Sequence, residues 1–242
     1  MRSILILIMA KNKSKHVEHD ILEEGNEKLT HAFTDAEFYF EQYKNIIIGS
    51  IAVVAIGIAG WWGYNNLIKG PKENKAKDAI IFAQQYFDID SMNQALKGDG
   101  VHLGFEAITK QYSGTTAGNR AQFGAGVASL KLGKYADAVQ YLNKFNTDDA
   151  ILNARKYGCL GDAYAEQKQM DKAIENYKKA ADAADNAITA PTYLYRAALA
   201  SEQSGNKKAA LELYKKASAN YPNSQEGMAA EIAIAKLEAQ VQ

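Results

Sequence analysis

The chain has 242 residues with 28 basic and 28 acidic side chains, so its net charge is zero at neutral pH and does not suggest nucleic acid or an anionic surface as a partner. The single cysteine, Cys159, excludes an internal disulfide. Only 3 prolines, with many Ala, Lys, Glu and Tyr residues, are typical of an all-helical protein of one or two domains.

Residues 1–33 are interpreted as a polar N-terminal tail. The first ten residues, MRSILILIMA, contain one Arg and a short apolar run, without the longer apolar core and the small-residue cleavage site of a signal peptide. We therefore expect Met9 rather than Met1 to be the natural start. His16 and His19 could share a helix face, but no third ligand lies nearby, which favours a solvated tail over a metal site.

Residues 34–69 are predicted to form one helix that crosses a membrane. A capping box begins at Thr34, and Gly70-Pro71 predicts the end of the helix. Its residues 46–64, IIIGSIAVVAIGIAGWWGY, carry no charge. At a rise of 1.5 Å per residue they span about 28 Å, close to the ~30 Å hydrocarbon core of a bilayer. Aromatic residues flank both ends, as they do at the two interfaces of a membrane.

Small residues recur at four-residue intervals along this segment, at Ala55, Ala59 and Gly63. Such a stripe lets membrane helices pack closely, so it is a candidate contact with the membrane helix of a partner. The alternative is that Ala and Gly are simply common in membrane helices. Charge leaves the orientation open. More lysines follow the segment than directly precede it, which favours a cytoplasmic C-terminal part, but the lysines of the whole tail cancel this bias.

Residues 71–118 are predicted to contain spacer helices and a degenerate repeat. An amphipathic helix comes first, with Phe82 and Tyr86 on its apolar face. The glycines of residues 98–104 are interpreted as a helix-breaking turn rather than a phosphate loop, because no strand precedes them. Residues 105–112 predict a short helix that resembles the second half of a repeat.

A helical hairpin recurs three times over residues 119–222. The packing alanines of the second helices, Ala138, Ala173 and Ala210, lie 35 and 37 residues apart, close to a period of ~34 residues. This segment resembles three tetratricopeptide repeats. The family's key positions in the middle repeat are filled by Tyr157, Leu160, Gly161, Tyr164, Ala173, Tyr177 and Ala180. The expected fold is all-α, with a single N-terminal transmembrane helix followed by a tetratricopeptide-repeat α-solenoid.

Residues 223–242 are predicted to form a C-terminal capping helix over the last repeat, since a solenoid must cover its exposed end. Either Asn223 or Ser224 is its candidate N-cap. Met228, Ile232 and Leu237 are expected on its inner face.

The resemblance to tetratricopeptide repeats implies a concave groove lined by the first helix of each repeat. The positions that face the groove in the family correspond here to Arg120, Phe123, Val127, Arg155, Asp162, Glu166, Tyr195, Leu199 and Glu202. Exposed aromatics mixed with charges of both signs suit an extended peptide or a partner's helix. The alternative is an ordinary surface with Phe123 and Tyr195 partly buried. The groove lacks the Lys, Asn and Arg set with which one subclass of the family grips a C-terminal carboxylate.

Nothing in the sequence indicates an enzyme, a cofactor or a metal site. No Ser, His and acid set falls within one segment, and His102 is the only histidine after the membrane segment. The acidic residues are interpreted as solvated helix faces.

The order of a short tail, one membrane helix that ends in Gly60-Trp61, a spacer helix and repeats resembles the single-pass ancillary subunits of the Sec translocon in the bacterial inner membrane. The resemblance implies a cytoplasmic tail and periplasmic repeats. It further implies a scaffold that holds other proteins near the translocon with a membrane-bound folding factor. An envelope-assembly or cell-division coordinator that uses the same groove is the alternative.

Overall fold

The structure is a computed structural model that describes residues 40–239, and every regular element in that range is helical. The predicted tail and the capping box at Thr34 lie outside the described residues. The chain divides into two compact units, the first ending at Asn66 and the second beginning at Leu67.

Helix α1, residues 40–63, is mostly apolar, and nearly all of its residues are exposed. Its most apolar window of 18 residues has a mean hydropathy of 2.0, and 0% of that window is buried. Ile56 is 72% exposed and Trp61 67% exposed. The helix is therefore long and apolar enough to cross a membrane, and it lacks the burial that a core helix of a globular protein would have.

The helix that contains α1 does not end at Gly70-Pro71, where the sequence predicts its end, but continues to Asp88. A π-helical turn, Tyr64–Lys69, joins α1 to α2, Gly70–Asp88. Pro71 falls at the start of α2, in the first turn, where a missing N–H is tolerated. In a regular α-helix the ring of Pro71 would clash with a carbonyl of the preceding turn, and the wider π turn in front of it avoids this clash.

The second unit is a row of helices that pack as consecutive antiparallel hairpins. Helix α2 packs with two short helices, α3 and α4, and three longer hairpins and a final helix follow. The bounds are α3 Met92–Lys97, α4 Phe105–Gln111, α5 Thr116–Lys131, α6 Tyr135–Lys144, α7 Ala150–Glu166, α8 Met170–Ala183, α9 Thr189–Gln203, α10 Lys207–Asn220 and α11 Gln225–Ala239. The hairpins α5–α6, α7–α8 and α9–α10 correspond to the three predicted repeats.

Small residues bring the two helices of a hairpin together, as the sequence pattern predicts. The alanines at positions 138, 173 and 210 are all 0% exposed. A Cβ atom on Gly161 of α7 would lie 2.5 Å from the ring of Tyr177 on α8. Tyr177 therefore fills the space that Gly161 leaves open, and the close approach of α7 and α8 depends on both residues.

The first and last junctions between hairpins share one local structure. The Thr115 hydroxyl donates to the carbonyl of Tyr112 and accepts from the N–H of Gly118, three residues later. In the same way the Ser224 hydroxyl donates to the Tyr221 carbonyl and accepts from the N–H of Gly227. Of the two candidate caps of α11, Ser224 is thus the one that binds a free N–H of the first turn.

The predicted glycine turn between α3 and α4 is confirmed. Gly98 and Gly100 have φ angles of 88° and 93°, which favour glycine. Between them, the Asp99 carboxylate accepts hydrogen bonds from the Tyr86 hydroxyl at 2.7 Å and the His102 Nδ1 at 2.8 Å. Its contacts, of which the His102 side chain contributes most, hold the pKa of Asp99 well below its usual range.

Candidate functional site

The first helices of the hairpins lie side by side and form one wall of the second unit. Helix α2 contacts α5, α5 contacts α7, α7 contacts α9, and α9 contacts α11. The second helices pack behind this wall. Because neighbouring first helices touch directly, their outward-facing residues share one continuous surface.

A cavity of about 530 Å³ opens on this wall between α2, α5 and α7. Its lining combines large apolar side chains with two arginines: Ile80, Gln84, Phe87, Asp88, Arg120, Phe123, Gly124, Phe145, Leu152 and Arg155. A volume of this size lies within the range of ordinary ligand pockets. We call it the Arg120/Arg155 cavity.

Aromatic rings form the apolar lining of the Arg120/Arg155 cavity. The ring centroids of Phe123 and Phe145 are 5.1 Å apart, and the guanidinium carbon of Arg155 lies 5.9 Å from the Phe123 centroid. Gly124 of α5 also lines the cavity, and a Cβ on it would lie 2.7 Å from the Phe105 ring, so this glycine lets α5 approach α4 closely. The geometry places a cation above an aromatic surface.

The two arginines of the cavity form no ion pair with any residue of the described range 40–239. Both are exposed. Arg196 of α9 differs from them, because its Nη1 donates to both carboxylate oxygens of Asp162, at 2.8 and 3.0 Å. The cavity therefore carries two guanidinium groups that no carboxylate of the described residues binds.

Farther along the wall, carboxylates are held by tyrosines of the second helices. Besides Arg196, Asp162 binds the hydroxyl of Tyr177 at 2.7 Å. Glu202 accepts from the hydroxyl of Tyr214 at 3.2 Å. Burial, followed by the neighbouring carboxylate, raises the pKa of both tyrosines. These contacts bind α7 to α8 and α9, and α9 to α10.

Comparison with known proteins identifies the fold. Residues 152–223 match the tetratricopeptide repeat, and residues 38–154 match the tetratricopeptide repeat-like domain. The fold is a tetratricopeptide-repeat solenoid. The predicted fold class is thus confirmed, with one long apolar helix as the candidate membrane span. No curated protein sequence matches the chain.

Two solved structures illustrate the likeness. MamA (residues 41 to the end) from Desulfovibrio magneticus RS-1 is 20% identical, with a TM-score of 0.51 over 62% of this chain and 77% of that one. A kinesin-light-chain type protein from Podosopora anserina with nearly identical TPR-like repeats is 14% identical, with a TM-score of 0.52 over 67% of this chain and 84% of that one. At these identities the likeness concerns the fold alone.

Tetratricopeptide repeats are protein-interaction scaffolds, and this chain carries repeats of that type. A fold of this kind is typically non-enzymatic. Among residues 40–239, no three His, Cys, Asp or Glu side chains cluster so that they could hold a metal ion. Burial, with a smaller contribution from Asp162, raises the pKa of Cys159 to about 11, so its thiol is a poor nucleophile at neutral pH.

The structure brings three of the nine predicted groove residues together. Arg120, Phe123 and Arg155 line the Arg120/Arg155 cavity. Asp162 and Glu202 are instead occupied by the tyrosine contacts described above.

The other four predicted groove residues lie outside the cavity. Tyr195 packs on Tyr214, with ring centroids 5.3 Å apart. Glu166 lies beside Tyr135 of α6 and raises the pKa of that tyrosine. Leu199 is 38% exposed, and Val127 is half-buried.

Among the described residues of the first unit, 40–66, none covers the stripe of small residues on α1. Ala55 and Ala59 are exposed, and a Cβ on Gly63 would meet no atom within 4 Å. The prediction that this stripe contacts a partner's membrane helix stays a prediction.

Sequence reasoning missed the α2 side of the cavity, formed by Ile80, Gln84 and Phe87. The interpretation of α2 as a spacer helix hid its role as the first helix of the degenerate repeat. The sequence does contain a signal for that role, because Ala76 and Ala83 lie seven residues apart, which is the spacing of small residues on one helix face. In the structure both are 0% exposed.

Proposed function

We propose that this chain is a membrane-anchored tetratricopeptide-repeat scaffold that binds other proteins non-covalently in the groove of its repeats. The Arg120/Arg155 cavity is the observation that carries this proposal, since it joins an aromatic surface on the wall of first helices with cationic groups that have no ion-pair partner among residues 40–239. Such a combination offers both the directional and the apolar contacts on which peptide recognition depends.

The anchor in this proposal is helix α1. Ten of its large apolar residues from Ile46 to Trp62 are exposed, most of them by more than half. Placing these side chains in an apolar phase is worth on the order of 15 kcal/mol at about 1.5 to 3 kcal/mol for each fully buried side chain. A soluble monomer would leave this surface in water, whereas a bilayer would cover all of it.

The architecture supports a place in the bacterial inner membrane, beside the Sec translocon. One apolar helix followed directly by repeats is the arrangement in the ancillary translocon subunits that the sequence resembles. On this basis the tail is cytoplasmic, the repeats are periplasmic, and the scaffold holds translocated proteins together with a membrane-bound folding factor. The orientation rests on the resemblance, against the local lysine count.

Site-specific photocrosslinking in intact cells tests the groove and its surroundings. A photoreactive residue at position 123 lies in the cavity, and one at position 140, on the exposed side of α6, is the matched control. We expect adducts with translocated proteins at position 123 that exceed those at position 140, and translocon subunits among the proteins that co-purify in mild detergent. Equal crosslinking at the two positions would contradict a groove-based scaffold.

A protease test decides the orientation. Protease added outside spheroplasts should degrade the repeats if they are periplasmic. Intact repeats would place them in the cytoplasm. In the photocrosslinking experiment, adducts made only of division or envelope-assembly proteins, without translocon subunits, would favour the alternative role as an envelope-assembly or cell-division coordinator.

A further inference from the structure

We propose that the Arg120/Arg155 cavity recognises an extended, acidic segment of a partner polypeptide. In this segment of the partner, two Asp or Glu side chains about three residues apart flank an apolar side chain. This inference rests on the proposed scaffold function and names the class of ligand. The carboxylates bind the two guanidinium groups, and the apolar side chain packs on the ring of Phe123.

The charge of the cavity selects a carboxylate. Arg120 and Arg155 lack an ion-pair partner in the described part of the chain, whereas Arg196 is already bound by Asp162. One carboxylate, Asp88, lines the cavity, and it accepts a hydrogen bond from the Gln84 Nε2 at 2.8 Å. Two arginines and one aspartate leave a net charge of +1 among the lining residues.

The lining of the cavity selects an apolar neighbour for these carboxylates. Phe87 of α2, Phe123 of α5 and Leu152 of α7 border the same space as the arginines. Phe123 packs against Phe145, with ring centroids 5.1 Å apart, so its ring already has an aromatic neighbour before the ligand arrives. An aromatic or branched side chain of the ligand would remove apolar surface of both partners from water.

The spacing of the arginines selects a side-chain pair rather than a chain end. Arg120 and Arg155 belong to α5 and α7, two helices in direct contact, whose axes are expected about 8 to 10 Å apart. An extended chain in the polyproline II conformation has three residues per turn and advances ~3.1 Å per residue, so carboxylates three residues apart lie on one edge, about 9 Å from each other, and match this distance. A C-terminal carboxylate is a single group and would leave one arginine without a partner.

Binding of short labelled peptides to the full chain in mild detergent tests this inference by fluorescence anisotropy. The probe is a peptide, blocked at both ends, in which two aspartates flank a phenylalanine with a spacing of three. The first reference peptide carries asparagines in place of the aspartates. The second also carries asparagines and ends in a free C-terminal carboxylate. We expect the acidic peptide to bind at least about tenfold more tightly than either reference, and more weakly as salt is added.

Variants of the protein assign this preference to the two arginines. Arg120→Gln and Arg155→Gln should each weaken binding of the acidic peptide about tenfold, and Arg155→Lys should fall between them and the native chain, because it keeps the charge without the fork of donors. Lys178→Gln removes an equal charge from the exposed side of α8 and should leave the affinity unchanged. All four substitutions are at exposed positions, and thermal unfolding checks that the fold is retained.

Three results would overturn the inference. Equal binding of the acidic and the asparagine peptides would exclude a carboxylate ligand. Tightest binding of the peptide with a free C-terminus would assign the site to chain ends. If Lys178→Gln weakened binding of the acidic peptide as much as the arginine variants do, the preference would depend on the net charge of the protein and not on the cavity. If peptide binding fails while position 123 still crosslinks to protein partners, the ligand class is wrong and the scaffold function stands.

Discussion

Removing the carboxylate of Asp162 should destabilise the solenoid far more than removing an ordinary surface charge. This carboxylate accepts from the hydroxyl of Tyr177 at 2.7 Å and from the Nη1 of Arg196 at 2.8 Å, and so connects α7 to both α8 and α9. Tyr177 is only 5% exposed, so in Asp162→Ala its hydroxyl would lose its partner in a largely apolar environment.

The expected loss follows from the exposure of each partner. The hydrogen bond from a buried tyrosine to a charged acceptor contributes about 1.5 to 3 kcal/mol. The side chain of Arg196 is 45% exposed, which reduces its ion pair with Asp162 to about 0.2 to 1 kcal/mol. Together they predict a loss of about 2 to 4 kcal/mol, or a decrease in Tm of roughly 5 to 12 °C for a unit of this size.

Urea and thermal unfolding of the full chain in detergent, followed by circular dichroism, measure this loss. The matched control is Glu175→Ala, which removes an equal charge from an ion pair with Lys179 whose side chains are 62% and 50% exposed. We expect the control to lose less than about 0.5 kcal/mol. Equal stability losses in the two variants would refute the assignment of Asp162 as a link between three helices.

Three further predictions concern packing, the membrane and the thiol. Gly161→Ala should cost about 1 to 3 kcal/mol in urea unfolding, because its Cβ would lie 2.5 Å from the Tyr177 ring, whereas Gly57→Ala, with open space around it, should cost nothing. Ile56→Lys should raise the fraction of the protein that carbonate extracts from membranes, since a charge at the centre of a spanning helix costs about 3 kcal/mol, and unchanged extraction would contradict the anchor. At pH 8, a thiol reagent should modify Cys159 about 100-fold more slowly in the folded than in the urea-unfolded chain, because burial raises its pKa from 9.0 to about 11. For the same reason the free energy of unfolding should decrease as pH rises from 9 to 11, because the unfolded chain ionises its thiol before the folded chain does. Cys159→Ser should remove that decrease.

The repeat period was predictable because small packing residues recur at positions that the fold cannot vary freely. Ala138, Ala173 and Ala210 mark the three hairpins, and each is completely buried. The continuation of the first helix through Gly70-Pro71 was not predictable in the same way. Local preferences place a boundary at Gly-Pro, but a π turn just before it lets the helix proceed.

The candidate site was predictable only where the repeat register was clear. Arg120, Phe123 and Arg155 follow from aligning α5 and α7 with the family, and they line one cavity. Sequence could not indicate that Asp162 and Glu202 are occupied, because their partners are tyrosines 15 and 12 residues away on the second helices. Which outward-facing charges remain free depends on these contacts between hairpins.

The wall of first helices thus has two physically different parts. In the part formed by α7 and α9, the charged groups at Asp162 and Arg196 neutralise each other and link neighbouring repeats. In the part formed by α2, α5 and α7, arginines occupy the wall without such partners, and Arg155 lies above an aromatic ring. An incoming carboxylate would have to displace Asp162 in the first part, whereas in the second it meets exposed guanidinium groups to which no acidic side chain among residues 40–239 is bound. The proposed partner should therefore be held mainly by α2, α5 and α7, and the later repeats should contribute chiefly to the rigidity of the solenoid.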